Sequence, residues 1–335
     1  MPLSIQGSVM PAPSSDTPGV VPSKSSIFAG SGDLATEIGR MADGSAHELD
    51  TMREVDSDED GRSAKKRLGP VFWVAAGWFL LVALAAVLAP ILPLKSYTAP
   101  SAYIRQPPSA QFWFGTDTIG RDIFSRVVWG GRVSLAVAFA SISFGVLVGG
   151  TIGIVSGYFR GRIETLLMGF CDVLLSFPAL LLALSIVAFR GDQRDLLTIS
   201  LAIGVVSIAP IARLVRANTL VYSQREFVTA ARSLGAKRGR IIIREILPNV
   251  IFPVLSFSII AIGLAIVAEG GLAFLGQSVQ PPTPTWGGMI SDGRNYLANA
   301  PWISLMPCLV LFVTVVALNL AGDRIREYFD IKDNN

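Results

Sequence analysis

Few side chains in this sequence could do chemistry, and their spacing excludes most kinds of it. There is one histidine, His47, in a polar stretch, and there are two cysteines, Cys171 and Cys308, each inside an apolar run. A lone histidine in a polar tail nearly excludes a nucleophile–His–acid triad or a His-based metal site. No catalytic residue and no metal ligand is therefore assigned. The cysteines read as small buried apolar residues. No Gly-x-x-x-x-Gly-Lys-Ser/Thr run is present to cradle a nucleotide phosphate, and no cofactor is expected. Two carboxylates, Asp172 and Glu269, lie in apolar runs. At a bilayer centre a carboxylate costs roughly 2.5–3.5 kcal/mol on insertion scales, so both should face protein or water. They either line a pathway or tie helices together near span ends, the second being the plainer reading. Pro178 and Pro210 sit in similar runs and can kink a helix; a kink serves a gate or is simply tolerated in a membrane helix.

The remaining constellation is mechanical. Glu226-Phe227-Val228-Thr229-Ala230-Ala231-Arg232-Ser233-Leu234-Gly235 reads as a short helix stopped by a glycine. Ala230 and Ala231 leave a flat surface, and Gly235 supplies the left-handed turn that a helix C-terminus favours. A second helix is expected over 236–247, ending where Pro248 disfavours helix at the residue before it. Two short helices bent at a glycine make a rigid knob.

Something must hold that knob, and composition says what. Of 335 residues, 51% are hydrophobic and only 16% charged, against about 25% charged in soluble domains. The excess is gathered in long uncharged runs, the mark of membrane spans. An all-α integral membrane fold with about six transmembrane helices follows. The spans fall near 71–94, 133–159, 163–189 (interrupted by Glu164, Asp172 and Pro178), 196–216 (ending on Arg213 and Arg216), 249–275 (holding Glu269) and 302–322. The period-2 alternation of a membrane β-barrel is absent.

Charge orients the spans. Arg62, Lys65, Lys66 and Arg67 precede the first run, and Arg160 and Arg162 follow the second. The loop 217–248 and its approach hold Arg213, Arg216, Arg225, Arg232, Lys237, Arg238, Arg240 and Arg244; Arg324 and Arg326 follow the sixth run. Basic residues beside spans stay on the cytoplasmic side, which puts the knob and both termini there. On the outer side, Asp117 or Thr118 is expected to cap a short helix bearing Ile119, Ile123, Phe124, Val127 and Val128 on one face, either lying in the interface, the favoured reading, or packed on an outer loop. Trp286 and Trp302 are expected in an aromatic belt. Residues 1–69, rich in Ser, Pro, Gly, Asp and Glu, are expected to be a disordered tail.

At the knob the chain resembles the permease subunits of ABC importers. Their motif is Glu-Ala-Ala, three residues, Gly, nine residues, then Ile-x-Leu-Pro; Ala230, Ala231, Gly235, Leu247 and Pro248 match. Thr229 stands where many members have Glu, and Glu245 where Ile is usual. Glu226 fits the dipeptide and oligopeptide branch. Gly115-Thr116-Asp117, Gly120-Arg121-Asp122, Asp172-Val173-Leu174-Leu175 with Phe177-Pro178, Ala268-Glu269, Phe274-Leu275-Gly276, Pro284-Thr285-Trp286-Gly287 and Ala300-Pro301-Trp302 match in order. The similarity is to the second, or C-type, permease of dipeptide, oligopeptide and nickel importers. It implies a type I ABC importer permease fold and a role as half of the translocation pathway in a cell inner membrane. It also implies three partners: a sister permease, ATP-binding cassette subunits and an extracytoplasmic substrate-binding protein. ATP would be hydrolysed by the partners, with Glu226, Ala230, Ala231, Arg232 and Gly235 as the coupling contact and Asp172, Pro178 and Glu269 as pathway or helix-packing candidates. The rivals are a nickel or other small-solute importer and a stand-alone secondary transporter. The latter would couple through intramembrane charges, which are few here.

Overall fold

The computed structural model describes residues 69–191 and 194–332, the last few of these by backbone alone. The tail expected over 1–69 falls almost wholly outside the described residues. Among them the structure is helical, with one isolated β-bridge, Thr116 to Asp122.

The helices are α1 (Pro70–Leu88), α2 (Ile123–Phe159), α3 (Arg162–Ser176), α4 (Ala179–Phe189), α5 (Leu196–Tyr222), α6 (Glu226–Ser233), α7 (Arg238–Ile241), α8 (Leu247–Phe274), α9 (Trp286–Gly293) and α10 (Trp302–Lys332). Five crossings are long and apolar enough for a membrane: α1, α2, α5, the continuous run from Arg238 through α8, and α10; α3 and α4 together supply a sixth that is bent by 89°. Apolar side chains such as Val74, Leu147, Leu166 and Phe189 cover the outside, which a bilayer or a partner helix tolerates and water does not.

The pair α2 and α5 forms the centre. Gly145, Gly149, Gly153 and Gly157 recur every fourth residue and so lie on one face of α2. A Cβ on Gly149 would lie 2.5 Å from the Ile208 carbonyl oxygen, and one on Gly153 2.6 Å from that of Ala212. The stripe thus sets the backbone approach of α5, as small residues do between membrane helices. α8 packs on α2 and α10, and α10 on α1, where the Trp78 indole N–H donates to Thr314 Oγ1 at 3.2 Å.

Several expected elements take another form. No interfacial helix begins at Asp117. Its Oδ1 accepts the N–H groups of Ile119 and Arg121, at 3.0 and 2.9 Å, so the carboxylate closes a turn. Gly120, at φ +81°, breaks any helix there. The N-cap is Asp122, whose Oδ2 accepts Ser125 N–H at 2.9 Å, and α2 then runs 37 residues without interruption. Pro248 ends no helix. A π-helical turn over Ile242–Ile246 joins α7 to α8, Leu247 N–H reaching back to the Ile242 carbonyl. The widened turn lets the chain pass a residue with no N–H to give. The run expected over 163–189 is cut at Phe177, whose extended backbone (φ −91°, ψ 138°) is what a residue before proline adopts. Pro210 stays inside an unbroken α5. Trp286 is not a belt residue: it is 1% exposed, and its indole N–H donates to the Val127 carbonyl at 2.8 Å.

Candidate functional site

The knob is α6 and the turn after it. Glu226 opens the helix and Arg232 lies in its last turn, charges placed to suit the helix dipole. Val228 is the buried residue of α6. It packs into a cluster with Ile211, Val215 and Tyr222 of α5, Ile241 and Ile246 of the following turns, and Val250 and Val254 of α8. One side of α6 therefore enters an apolar cluster that also includes residues of two membrane helices. The other carries Glu226, Phe227, Thr229, Ala230 and Arg232, all exposed. Leu234, just beyond the helix, is 88% exposed.

The C-terminus of α6 closes as a Schellman motif. Ala236 N–H donates to the Ala231 carbonyl and Gly235 N–H to that of Arg232, at 3.1 and 3.0 Å. Gly235 holds φ +78°, and a Cβ there would meet nothing within 4 Å. The demand for glycine is one of backbone conformation, not space. Beside the knob lies a cleft of about 490 Å³ lined by Tyr158, Phe159, Arg232, Ala236, Arg238 and Ile241.

Two ion pairs brace the same end. Asp172 of α3 accepts from Arg213 of α5 at 2.6 Å, both half-exposed or more. Glu164 of α3 accepts from Arg216 Nε at 2.8 Å. Asp172 thus joins α3 to the helix that leads into the knob. Pro178 sits at the start of α4, at the bend.

Glu269 is far from the knob and is 0% exposed. Its Oε1 accepts from Ser278 Oγ at 3.0 Å and its Oε2 from Ser134 Oγ at 3.4 Å; the Thr285 hydroxyl lies 3.1 Å from Ser278 Oγ, and Gly287 packs beside the carboxylate. Ser134 in turn accepts Trp286 N–H at 3.1 Å. A Cβ on Gly287 would lie 2.6 Å from Gly270 Cα, so α9 is pressed onto α8 backbone to backbone. One carboxylate therefore gathers α2, α8 and α9. The bond inventory explains how it can sit there: a buried carboxylate needs donors for both oxygens, and it has them.

A profile described as "Binding-protein-dependent transport system inner membrane component" matches residues 149–332, the stretch that contains the knob. The chain belongs to that family. Among curated relatives, the glutathione transport system permease protein GsiD of Pectobacterium atrosepticum is 39% identical over 265 residues, 77% of this chain and 86% of its own. The dipeptide transport system permease protein DppC of Alkalihalophilus pseudofirmus is 39% identical over 270 residues, 80% and 87% of the two chains. In shape, a chain of the MetNI methionine ABC transporter in an inward-facing conformation matches with a TM-score of 0.52, at 19% identity, over 61% of this chain and 96% of its own. That likeness shows the fold, which is that of an ABC importer permease.

In this permease the structure brings Glu226, Ala230, Ala231, Arg232 and Gly235 together in one knob and leaves Asp172, Pro178 and Glu269 at separate places. Sequence reasoning missed α9 and the donors to Glu269. Ser134 is 135 residues away, and α9 is a short helix rich in glycine, with no apolar period to announce it. The one available signal was Thr285 ahead of Gly288, an N-cap whose hydroxyl accepts that N–H at 2.9 Å.

Proposed function

We propose that the permease forms half of the translocation pathway of an ATP-driven peptide importer, paired with a sister permease, and that the knob Glu226–Gly235 is the contact with the ATPase subunits. The observation that carries this is the attachment of the knob. One small helix, with Leu234 exposed beyond its end, shares through Val228 a buried apolar cluster with residues of α5 and α8. A push on the exposed face reaches two spans as a rigid-body displacement. The chain lacks a phosphate-cradling loop, so nucleotide chemistry belongs to the partners. The basic residues around the knob orient it and both termini to the cytoplasm, leaving the opposite end for an extracytoplasmic binding protein. Peptide cargo is favoured because the relatives above are named for glutathione and dipeptide transport.

The test is reconstitution. Tagged permease should co-purify with a Walker-motif ATPase and a sister permease. Proteoliposomes of that complex should take up labelled dipeptide only with ATP and the binding protein. Uptake by the purified chain alone would count against the proposal.

A further inference from the structure

The end opposite the knob contains a cavity of about 230 Å³ whose lining residues include Arg121, Arg126, Arg194, Asp292, Ser278 and Thr285. Asp117 lies behind the wall, 2.6 Å from Arg121 Nε and 3.7 Å from Arg126 Nε. Asp292 is on the α9 side, and partial burial raises its carboxyl above the ordinary value while Arg126 and Arg121 oppose the shift. Three arginines thus meet Asp292 in the lining and Asp117 behind it. Arg126 is only 5% exposed, and a positive excess in so sheltered a place draws an anion strongly.

The third arginine is the least committed. Arg194 donates to the Gly276 carbonyl at 2.7 Å, and its own carbonyl accepts Gln280 N–H at 3.1 Å. This clip fixes the α4–α5 loop to the strap between α8 and α9. It uses one of the five donors a guanidinium offers. A second cavity, of about 570 Å³, shares Arg194, Val279, Gln280 and Thr283 with the first. The first cavity, smaller than a typical small-molecule pocket of about 300–1,000 Å³, suits one charged end of a solute, and the second adjoins it.

We infer that this cavity is a carboxylate subsite on the outer side of the permease, where Arg121, Arg126 and Arg194 take the free terminal carboxylate of a short peptide. Guanidinium forks pair with carboxylates through charge-assisted hydrogen bonds, and Asp292 on the same wall offers the opposite charge to an ammonium group. The floor matters as well. Ser278 and Thr285 line the cavity; Ser278 hydrogen-bonds to Glu269, and its hydroxyl lies 3.1 Å from that of Thr285. An occupant therefore touches the groups that fasten α9 to α2 and α8. The assignment rests on the peptide reading of the preceding section.

The experiment uses the assembled complex in nanodiscs without binding protein. Arginines are modified with phenylglyoxal and followed by peptide mass spectrometry, with L-alanyl-L-alanine or its C-terminal amide as protectant. Dialanine should protect Arg194 and Arg121, and the amide should need about a tenfold higher concentration, the scale of a lost hydrogen bond to a charged group. Arg194→Gln, in a complex that still assembles, should weaken the protection of Arg121 by dialanine. Equal protection by both compounds, no protection, or protection seen only after binding protein is added would each overturn the assignment. Failure of the ATPase to co-purify is a separate readout and bears on the peptide-importer reading instead.

Discussion

The N–H of Ala236 donates to the carbonyl of Ala231 at 3.1 Å across Gly235, and this one bond turns the chain out of α6 and back toward the membrane. It forms only while Gly235 keeps φ near +78°. A side chain in the left-handed region costs about 1–2 kcal/mol, and a β-branched one is an outlier there. Gly235→Val should therefore reduce ATPase co-purification or uncouple hydrolysis from uptake. Gly235→Asn, which tolerates the conformation better, should be milder. Co-purification yield and the ratio of dipeptide imported to ATP hydrolysed measure both effects.

Leu234 is the apolar tip of that knob. Burying a leucine fully at an interface is worth about 1.5–3 kcal/mol. Leu234→Glu should weaken ATPase binding about 10- to 100-fold and leave the helices of the permease intact. Titration of ATPase into nanodisc-held permease, beside circular dichroism of the same sample, reads the two quantities separately.

Glu269 gives a contrast between two substitutions. Glu269→Ala removes the acceptor of the Ser134 hydroxyl and one partner of the Ser278 hydroxyl, at about 1–3 kcal/mol for a buried group left unpaired. Glu269→Gln keeps an acceptor oxygen. The alanine variant should lower the melting midpoint of the complex more than the glutamine variant and should speed proteolysis in the strap around residues 277–284. An equal drop for both would mean that the negative charge, and not the donor network, holds α9 in place.

Asp172 and Arg213 are both exposed, so their pair is worth at most about 1 kcal/mol, and either neutral variant should be nearly silent. Reversal is harsher: Asp172→Arg sets two cations side by side between α3 and α5. Assembly should fall in that variant and recover in the double variant Asp172→Arg, Arg213→Asp. Absence of recovery would show that Asp172 acts on something other than Arg213.

What the sequence disclosed was what local pattern encodes. Uncharged runs marked the spans, and the Ala-Ala-x-x-x-Gly spacing marked the knob and its stop at Gly235. The departures were decided by long-range contacts or single backbone angles. Phe177-Pro178 was visible as a kink, but nothing local set its size at 89°. Asp117 looked like an N-cap until Arg121 and Gly120 turned the chain around it, and the cap passed to Asp122. Trp286 looked interfacial because its partner, the Val127 carbonyl, is 159 residues away. The cavity above Glu269 draws its lining from α2, the loop before α5, the strap and α9, a convergence that no stretch of sequence contains.

On the proposed function, the exposed face of α6 grips an ATPase from the cytoplasmic side. The most direct measurement places a photo-reactive phenylalanine analogue at Leu234 of the assembled complex in intact cells. Illumination should join the permease to the ATPase subunit in high yield, and a membrane-impermeant thiol reagent should fail to label Ser233→Cys from outside. A crosslink to the external binding protein, or labelling of Ser233→Cys in unbroken cells, would contradict the account.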